Sequence, residues 1–396
     1  MRKFFKILVL SVVFIIAFIL LLFIVERNKK ITLPAPTGEY AVGRTHFEWT
    51  DTSRIDTLAL KPENPRELFM WVWYPAAKQA NTNPGDYLPE NWRKAVATRQ
   101  GIFARFFTRK LSRIKSHAAD SAKPAANKQF PVILVKSGIG ASTSDYTTFA
   151  EELASNGYIV IGSESPYSTS VIVYSDGRVV NDNSKGNPGN AAPSVDRDRR
   201  LDRLVSLWAD DLKFITNKLE QINTTDSSNL LYHRMNLKQI GVFGHALGGA
   251  TAFRFCFTDP RCKAGVTLNG TPFGNVNENK LSKPFMFLMA DPKGVPGAVQ
   301  KQVSSNIDTI YQQLPPSRQW LRLTDAYHYN FSDQAVIRER FLARRNDDLG
   351  TIGELRGLEI TAATLRTFFD VNLKGAPSKR ISELKTKYFE IEEAKK

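Results

Sequence analysis

The sequence has few of the residues on which metal and disulfide chemistry depend. Its 396 residues include only two cysteines and five histidines, and no histidine stands at a metal-ligand spacing from either cysteine. We therefore expect no metal site and no cofactor. Cys256 and Cys262 are six residues apart, which fits either a small disulfide loop or two free, buried thiols. We favour the free thiols.

Internal repeats, low-complexity segments and nucleic-acid-binding motifs are also absent from the sequence. Nucleic-acid binding is therefore not expected, although the net charge is +15. The densest basic run covers residues 93–115, where apolar residues recur at spacings of three and four. This pattern predicts an amphipathic basic helix inside an insert at about residues 85–125. The helix is either a lid packed on the body of the protein or a helix drawn to an anionic membrane surface.

One long apolar run occurs, near the N-terminus. Residues 7–25 are apolar apart from Ser11 and follow three basic residues, and at about 1.5 Å per residue this helix is long enough to span a bilayer. A cleaved signal peptide usually has a shorter apolar part that ends in small residues. We therefore predict an uncleaved membrane anchor over residues 1–30 and one large domain over residues 31–396. Basic residues flank both ends of the run, so charge does not orient it; we expect the domain on the exported side, periplasmic or extracellular.

The large domain alternates strand and helix patterns. Apolar runs predict strands at residues 68–74, 131–135, 158–162, 264–268, 284–289 and 319–323. Helical periodicity predicts helices at residues 146–156, 201–222, 299–314 and 358–371. Strands joined by helical crossovers form a mostly parallel, doubly wound α/β sheet. The functional loops of such a sheet lie at the carboxyl ends of its strands.

The most informative stretch is residues 239–251, where a short apolar strand runs through Gly244, His245, Ala246, Leu247 and Gly248 into a helix-forming segment. This is the pattern of a nucleophile elbow, a strained turn whose glycines leave room for neighbouring backbone. The central residue of an elbow carries the nucleophile and is normally serine. Because alanine has no oxygen that can attack a substrate, Ala246 marks a vacated nucleophile position.

His328 is the candidate general base. It lies in the loop directly after the last of the predicted strands, where this architecture places its histidine. We interpret His245, within the elbow, as a packed histidine. Asp291 follows the strand at residues 284–289, where many such sheets carry the acid of a catalytic triad; a turn residue before Pro292 is the competing interpretation.

Three groups of residues resemble those of a known family: Gly-His-x-Leu-Gly-Gly-Ala-Thr at 244–251, His-x-Asn-Phe-x-Asp at 328–333 and Trp-Tyr-Pro at 73–75. They are similar to the plasma-type platelet-activating-factor acetylhydrolases and their bacterial relatives, over about residues 44–375. The resemblance implies an α/β-hydrolase fold and an enzyme that cleaves short or oxidised acyl groups from phospholipids, with general carboxylesterases among the bacterial relatives. It also implies a lipid or short-acyl ester ligand and oxyanion-hole amides at Ile139 and Leu247.

The chain departs from the family pattern at four positions. Beside Ala246, the acid position holds Asn269, and Ser137 and Ser165 replace two histidines. An asparagine can orient a histidine but cannot stabilise its charged form as a carboxylate does. We therefore expect a catalytically dead or severely impaired homologue that retains a lipid or acyl pocket. Two alternatives stay open: an active esterase that uses His328 with Asp291, and a membrane-surface interaction protein whose pocket is a relic.

Overall fold

The computed structural model describes residues 2–61, 63–78, 85–106, 108–125, 128–189, 195–272, 281–294, 297–338 and 349–394. A ten-stranded sheet forms the centre of the domain. Its strands, in chain order, are β1 (Ala41–Ile55), β2 (Pro65–Ala76), β3 (Ala119–Asp120), β4 (Phe130–Lys136), β5 (Ile159–Ser163), β6 (Met235–His245), β7 (Cys262–Leu268), β8 (Phe285–Ala290), β9 (Gln319–Leu323) and β10 (Ile391–Glu393). Across the sheet their order is β10-β9-β8-β7-β6-β4-β5-β2-β1-β3.

The middle of the sheet is parallel. The six neighbouring strands from β9 to β5 pair in parallel, whereas β2 pairs antiparallel with both of its neighbours and β10 with β9. The predicted mostly parallel, doubly wound sheet is confirmed. The sequence does not predict β1, because its polar residues form no apolar run.

Helices cover both faces of the sheet. The helices of nine or more residues are α1 (Arg2–Asn28), which has no buried residues and does not cover the sheet, α2 (Glu90–Phe106), α3 (Thr147–Ser155), α4 (Val195–Thr225), α5 (Leu247–Thr258), α6 (Gly297–Tyr311), α7 (Glu354–Lys374) and α8 (Lys379–Lys387). In β4, Ile133 and Val135 belong to the core that α3 and α7 cover, and Val132 and Leu134 belong to the core under α4, α5 and α6. Both faces of the strand are therefore buried, which explains its continuous apolar run.

The basic run at residues 93–115 does not form one helix, so that prediction is wrong. Helix α2 is interrupted at Gly101, where φ is 72°, and ends at Phe106. A 3-10 turn at Leu111–Arg113 and a short strand at Ile114–Ser116 follow. Glycine takes a positive φ at little steric cost, so it breaks the helix that the apolar spacing predicts.

Carboxylates compensate much of the charge of this run. Ion pairs join Arg93 and Lys115 to Asp86, Lys94 to Glu90, Arg99 to Asp182, and Arg109 to Glu26 and Glu354. The side chain of Arg109 is buried and does not belong to a solvated basic face. The spacing of residues within the run gave no sign of these partners, because most of them are distant in sequence.

Cys256 and Cys262 form a disulfide, with their Cα atoms 5.0 Å apart. The expectation of free thiols is therefore wrong. Cys256 lies in the last turns of α5 and Cys262 begins β7, so the short connection between these elements brings the two residues together.

A buried ion pair fastens β2 to α4. Arg66 is fully buried and lies 2.7 Å from Asp211 and 2.9 Å from Asp56. We expect Arg66→Met to lower the free energy of unfolding by about 3–5 kcal/mol, because two buried carboxylates lose the cation between them. Urea unfolding of the full chain in detergent measures the change.

The matched control is Arg178→Met. Arg178 also contacts two carboxylates, of Glu67 and Asp176, but its side chain is 54% exposed, so its loss should change the free energy of unfolding by less than about 1 kcal/mol. Equal losses in the two variants would contradict the assigned importance of burial.

Candidate active site

Ala246 lies on the turn between β6 and α5. Its φ of 51° and ψ of −120° are a strained combination that costs a non-glycine residue about 1–3 kcal/mol. A Cβ at Gly244 would lie 2.1 Å from the carbonyl oxygen of Gly248. At Gly249 it would lie 2.0 Å from Oγ1 of Thr267, and at Gly248 it would lie 2.2 Å from a backbone oxygen of β4. No side chain fits at these distances, so the turn has the geometry of a nucleophile elbow with a methyl group at its apex.

Asn269 contacts His328. Asn269 follows β7 and His328 lies in the loop after β9, and the distance between Nδ2 of Asn269 and Nδ1 of His328 is 2.9 Å. The amide of Ala290 donates to Oδ1 of Asn269 at 3.3 Å. This second hydrogen bond orients the side chain with its NH₂ group toward the imidazole.

The hydrogen bond from Asn269 determines the tautomer of His328. An NH₂ group only donates, so Nδ1 accepts and the imidazole proton resides on Nε2. A catalytic triad needs the opposite tautomer, in which a carboxylate accepts from Nδ1–H and the lone pair of Nε2 takes the nucleophile's proton. The ring of His328 is therefore held in place, but Nε2 is a donor and not a base.

Burial lowers the pKa of His328 to about 4, with a smaller effect from the positive charge of Arg338. The imidazole is therefore neutral near pH 7. The ring of His245 packs against it, with centroids 4.3 Å apart and the ring planes tilted by 32°, and the hydroxyl of Tyr146 lies 2.9 Å from Nδ1 of His245. Burial also holds the pKa of His245 well below its ordinary value, so His245 is a packed, neutral support for His328.

The two predicted oxyanion residues lie beside the vacated position. Ile139 and Leu247 line the same cavity as Ala246, and Leu247 is the first residue of α5, so its amide is one of those left without a partner inside the helix. Gly138 lies so close that a Cβ there would be 3.3 Å from the methyl carbon of Ala246. The loop of Ile139 therefore retains the approach that an oxyanion hole requires.

A cavity of about 540 Å³ opens at this site, within the usual range of about 300–1,000 Å³ for small-molecule pockets. Its apolar wall consists of Ile139, Leu201, Leu247, Met289, Val303, Ile307 and Trp320. Its polar lining includes Arg197, His245, Asn269, Arg322 and His328. A neighbouring cavity of about 360 Å³ shares Ile139, Ala141, Tyr329 and Gln334 with it. Among the residues that the structure describes, no group of three His, Cys, Asp or Glu side chains is placed to hold a metal ion.

Comparison with known proteins identifies the family. Residues 25–187 and 209–376 match the family described as platelet-activating factor acetylhydrolase, isoform II. The chain belongs to this family.

Individual relatives agree with this assignment. The probable 1-alkyl-2-acetylglycerophosphocholine esterase of Arthroderma benhamiae is 23% identical over 91% of this chain and 92% of its own length. The platelet-activating factor acetylhydrolase of Cavia porcellus is 22% identical over 76% and 69%. The solved ferulic acid esterase from Streptomyces cinnamoneus is 25% identical with a TM-score of 0.75, covering 92% of this chain and 99% of its own. The predicted α/β-hydrolase fold and the family resemblance are confirmed.

Asp291, the alternative acid, has other partners in this acetylhydrolase homologue. Its Oδ2 accepts a hydrogen bond from the amide of Asp325 at 2.9 Å, and its Oδ1 accepts one from the amide of Lys293 at 3.0 Å. These bonds close the loop that leads from β9 to His328. In the contacts that the structure describes, Asn269 and not Asp291 is bonded to Nδ1 of His328.

None of the three hydroxyls of Ser137, Ser165 and Thr251 is placed at the vacated position. Oγ1 of Thr251 donates to the carbonyl oxygen of Leu247 at 3.1 Å. Ser137 and Ser165 are buried, and neither is among the described residues that line the cavity. The structure thus brings Ala246, Asn269 and His328 together without placing one of these hydroxyls at the vacated position.

Sequence reasoning assigned no role to Asp333, the last residue of the histidine motif. Its carboxylate is buried and accepts hydrogen bonds from Oγ1 of Thr148 at 2.5 Å and from the hydroxyl of Tyr87 at 3.3 Å. Its amide donates to the carbonyl oxygen of Asp145 at 2.6 Å. Burial raises the pKa of Asp333 well above its ordinary value. Asp333 joins the His328 loop to α3. The signal in the sequence was that Asp333 is the acidic residue of the motif at 328–333.

Replacing Asn269 by aspartate should restore an acceptor at Nδ1 of His328. We expect the pKa of His328 to rise from about 4 to about 6.5 or above, because a neighbouring carboxylate stabilises the charged imidazolium. NMR titration of the histidine Cε1–H signals measures this change, with His328→Gln used to assign the resonance.

The control for the pKa measurement is Asn306→Asp. Asn306 is exposed on α6, so the same charge is added away from His328 and the pKa should stay near 4. A pKa that is equally low in Asn269→Asp would contradict the contact between residues 269 and 328.

Proposed function

We propose that this member of the family is a catalytically dead or severely impaired ester hydrolase that binds a lipid or acyl ligand. The observation that carries the proposal is Ala246 at the elbow apex, combined with the hydrogen bond from Asn269 to His328. The first removes the nucleophile and the second removes the base. In serine proteases, asparagine in place of the triad acid lowers kcat about 10⁴-fold, and loss of the serine or histidine lowers it about 10⁶-fold.

The cavity supports retained binding. It is open beside Ala246, and Ile139 and Leu247, the residues expected to supply the oxyanion amides, are among its lining residues. The names of the Arthroderma and Streptomyces relatives both specify carboxylic esters, which is why we assign an acyl ligand to this pocket. A relic pocket in an interaction protein would be under no constraint to keep this space open.

The contacts give less support to the two alternatives. An active esterase that uses Asp291 needs that carboxylate at Nδ1 of His328, but Asp291 accepts hydrogen bonds from the loop backbone. An interaction protein that acts through the basic run needs exposed positive charge, and ion pairs compensate much of that charge.

We also propose that α1 is an uncleaved membrane anchor. It is long and apolar: an 18-residue window within it has a mean hydropathy of 3.5, and the helix has no buried residues. Its last turn is joined to the domain, because Glu26 contacts the buried Arg109, which also donates to Glu354 at 3.2 Å and to the carbonyl oxygen of Val336 at 2.6 Å. Cleavage after the apolar run would remove one carboxylate partner of a buried cation. Attachment through the basic run at 93–115 receives no such support.

An exported domain agrees with the disulfide between Cys256 and Cys262, since disulfides persist mainly in oxidising compartments. We expect an alkaline phosphatase reporter fused after Lys396 to be active in a bacterial host and a fluorescent reporter that folds only in the cytoplasm to be dark. The chain should remain in carbonate-washed membranes at its full mass. Cytoplasmic fluorescence would contradict the exported location, and a shortened soluble product would contradict the anchor.

The wild-type chain should not hydrolyse p-nitrophenyl acetate and should not react with fluorophosphonates, which label only an activated serine. Ala246→Ser alone should restore little activity, because His328 still presents a donor. Adding Asn269→Asp should raise turnover by about 10⁴-fold over Ala246→Ser, and the two changes should be strongly non-additive because they complete one triad.

The control for this restoration is Ala246→Ser combined with Asn306→Asp, which adds the same charge outside the site and should stay at the level of Ala246→Ser. Wild-type hydrolysis that is abolished by His328→Ala would overturn the proposal in favour of an esterase with unconventional machinery.

A further inference from the structure

Ile139, Leu247 and His328 line the cavity beside Ala246. The family resemblance assigns the backbone amides of Ile139 and Leu247 to the oxyanion hole, and Nε2 of His328 carries a proton because Asn269 donates to Nδ1. In an active triad, Nε2 of the histidine has a lone pair and no proton. This site therefore has a third N–H donor at the position where a hydrolase has its base.

The charged side chains of the cavity are positive, so they favour an anion as the N–H donors do. Two arginines, Arg197 and Arg322, contribute to its lining; Arg197 also lies 3.9 Å from the carboxylate of Asp198, and none of the described lining residues is an aspartate or a glutamate. Positive side chains at the wall of a partly dehydrated cavity attract an anion more strongly than they would in bulk water.

Ala246 also leaves space, because it lacks the hydroxyl oxygen of a serine. A serine hydroxyl at position 246 would occupy the place between the oxyanion amides and the imidazole, and the methyl group of Ala246 leaves that place open. A carboxylate has two oxygens, so one can accept from the amides of Ile139 and Leu247 while the other accepts from Nε2–H of His328. The neutral alkoxy oxygen of an ester is a weaker acceptor for that third donor.

The geometry points to a free carboxylic acid, bound as its carboxylate at the vacated elbow, as the ligand of this pocket. The acyl chain of that acid would extend along the apolar wall formed by Leu201, Met289 and Ile307. This assignment rests on the proposed function, since it requires that bound esters are not hydrolysed. On this assignment both residues favour a bound carboxylate: Ala246 leaves space for one of its oxygens, and Asn269 keeps the proton of His328 on Nε2.

The first test compares ligands of matched size. The full chain in phosphatidylcholine nanodiscs is titrated near pH 7.5 with sodium hexanoate, hexanamide and methyl hexanoate, and binding is followed by calorimetry. We expect hexanoate to bind about tenfold or more tightly than either neutral compound, because its hydrogen bonds are charge-assisted. Equal affinities for hexanoate and hexanamide would overturn the inference.

The second test uses variants. Asn269→Asp should weaken hexanoate binding by about tenfold or more, because the new carboxylate repels the anion and, at a pH above the raised pKa of His328, leaves Nε2 without a proton. Hexanamide should not bind more weakly, because its NH₂ group can donate to the lone pair of Nε2. Arg322→Gln should also weaken hexanoate selectively, and it tests the charge of the cavity without altering the residues around the elbow. Asn306→Asp is the matched control and should change neither affinity. Hexanoate binding that is unchanged in both Asn269→Asp and Arg322→Gln would contradict the assignment.

The failure of this inference is distinguishable from the failure of the proposed function. If the wild-type chain releases acid from methyl hexanoate, the proposed loss of catalysis is wrong, whatever the affinity for hexanoate. If the chain is inert but binds methyl hexanoate as tightly as hexanoate, the loss of catalysis stands and the carboxylate assignment is wrong.

Discussion

The site depends on one hydrogen bond, from Nδ2 of Asn269 to Nδ1 of His328. It joins the loops after β7 and β9, and the amide of Ala290 at the end of β8 fixes its direction. The bond keeps the imidazole where a triad needs it and places the proton on the wrong nitrogen for a base. The imidazole therefore lies where a triad histidine would lie, but it accepts the hydrogen bond at Nδ1 instead of donating it.

Much of the fold could be predicted from the sequence, because burial and close backbone contacts require particular residue types. Strands such as β4 and β8 are apolar because buried parallel strands have no solvent face, and the elbow could be predicted because its glycines are required by contacts of about 2 Å. β1 was not readable. Its Arg44 is buried because distant partners satisfy the guanidinium: Asp120 in β3 lies 2.7 Å away, and backbone oxygens of Asp86 and Tyr87 also accept from it. No local pattern shows such partners.

The site was less readable than the fold. Spacing and resemblance could nominate Ala246, Asn269 and His328, but only the structure orients the amide of Asn269. The same limit applies to Arg109, where periodicity indicated a solvated cation and the fold buries it against Glu354. In each case the deciding partner lies far away in sequence, so its effect on charge and protonation appears only once the loops are assembled.

The shape of the elbow does not depend on a hydroxyl at position 246. Its turn is held by the close approach of Gly244 to Gly248 and by the amide of Ala246, which donates to the carbonyl oxygen of Leu268 at 3.0 Å. None of these contacts uses the side chain at position 246. Exchanging serine for alanine therefore removes the nucleophile and leaves the backbone strain of about 1–3 kcal/mol in place, because the surrounding contacts still impose it. The amide of Leu247 therefore keeps its place at the start of α5, and the cavity beside the methyl group stays open.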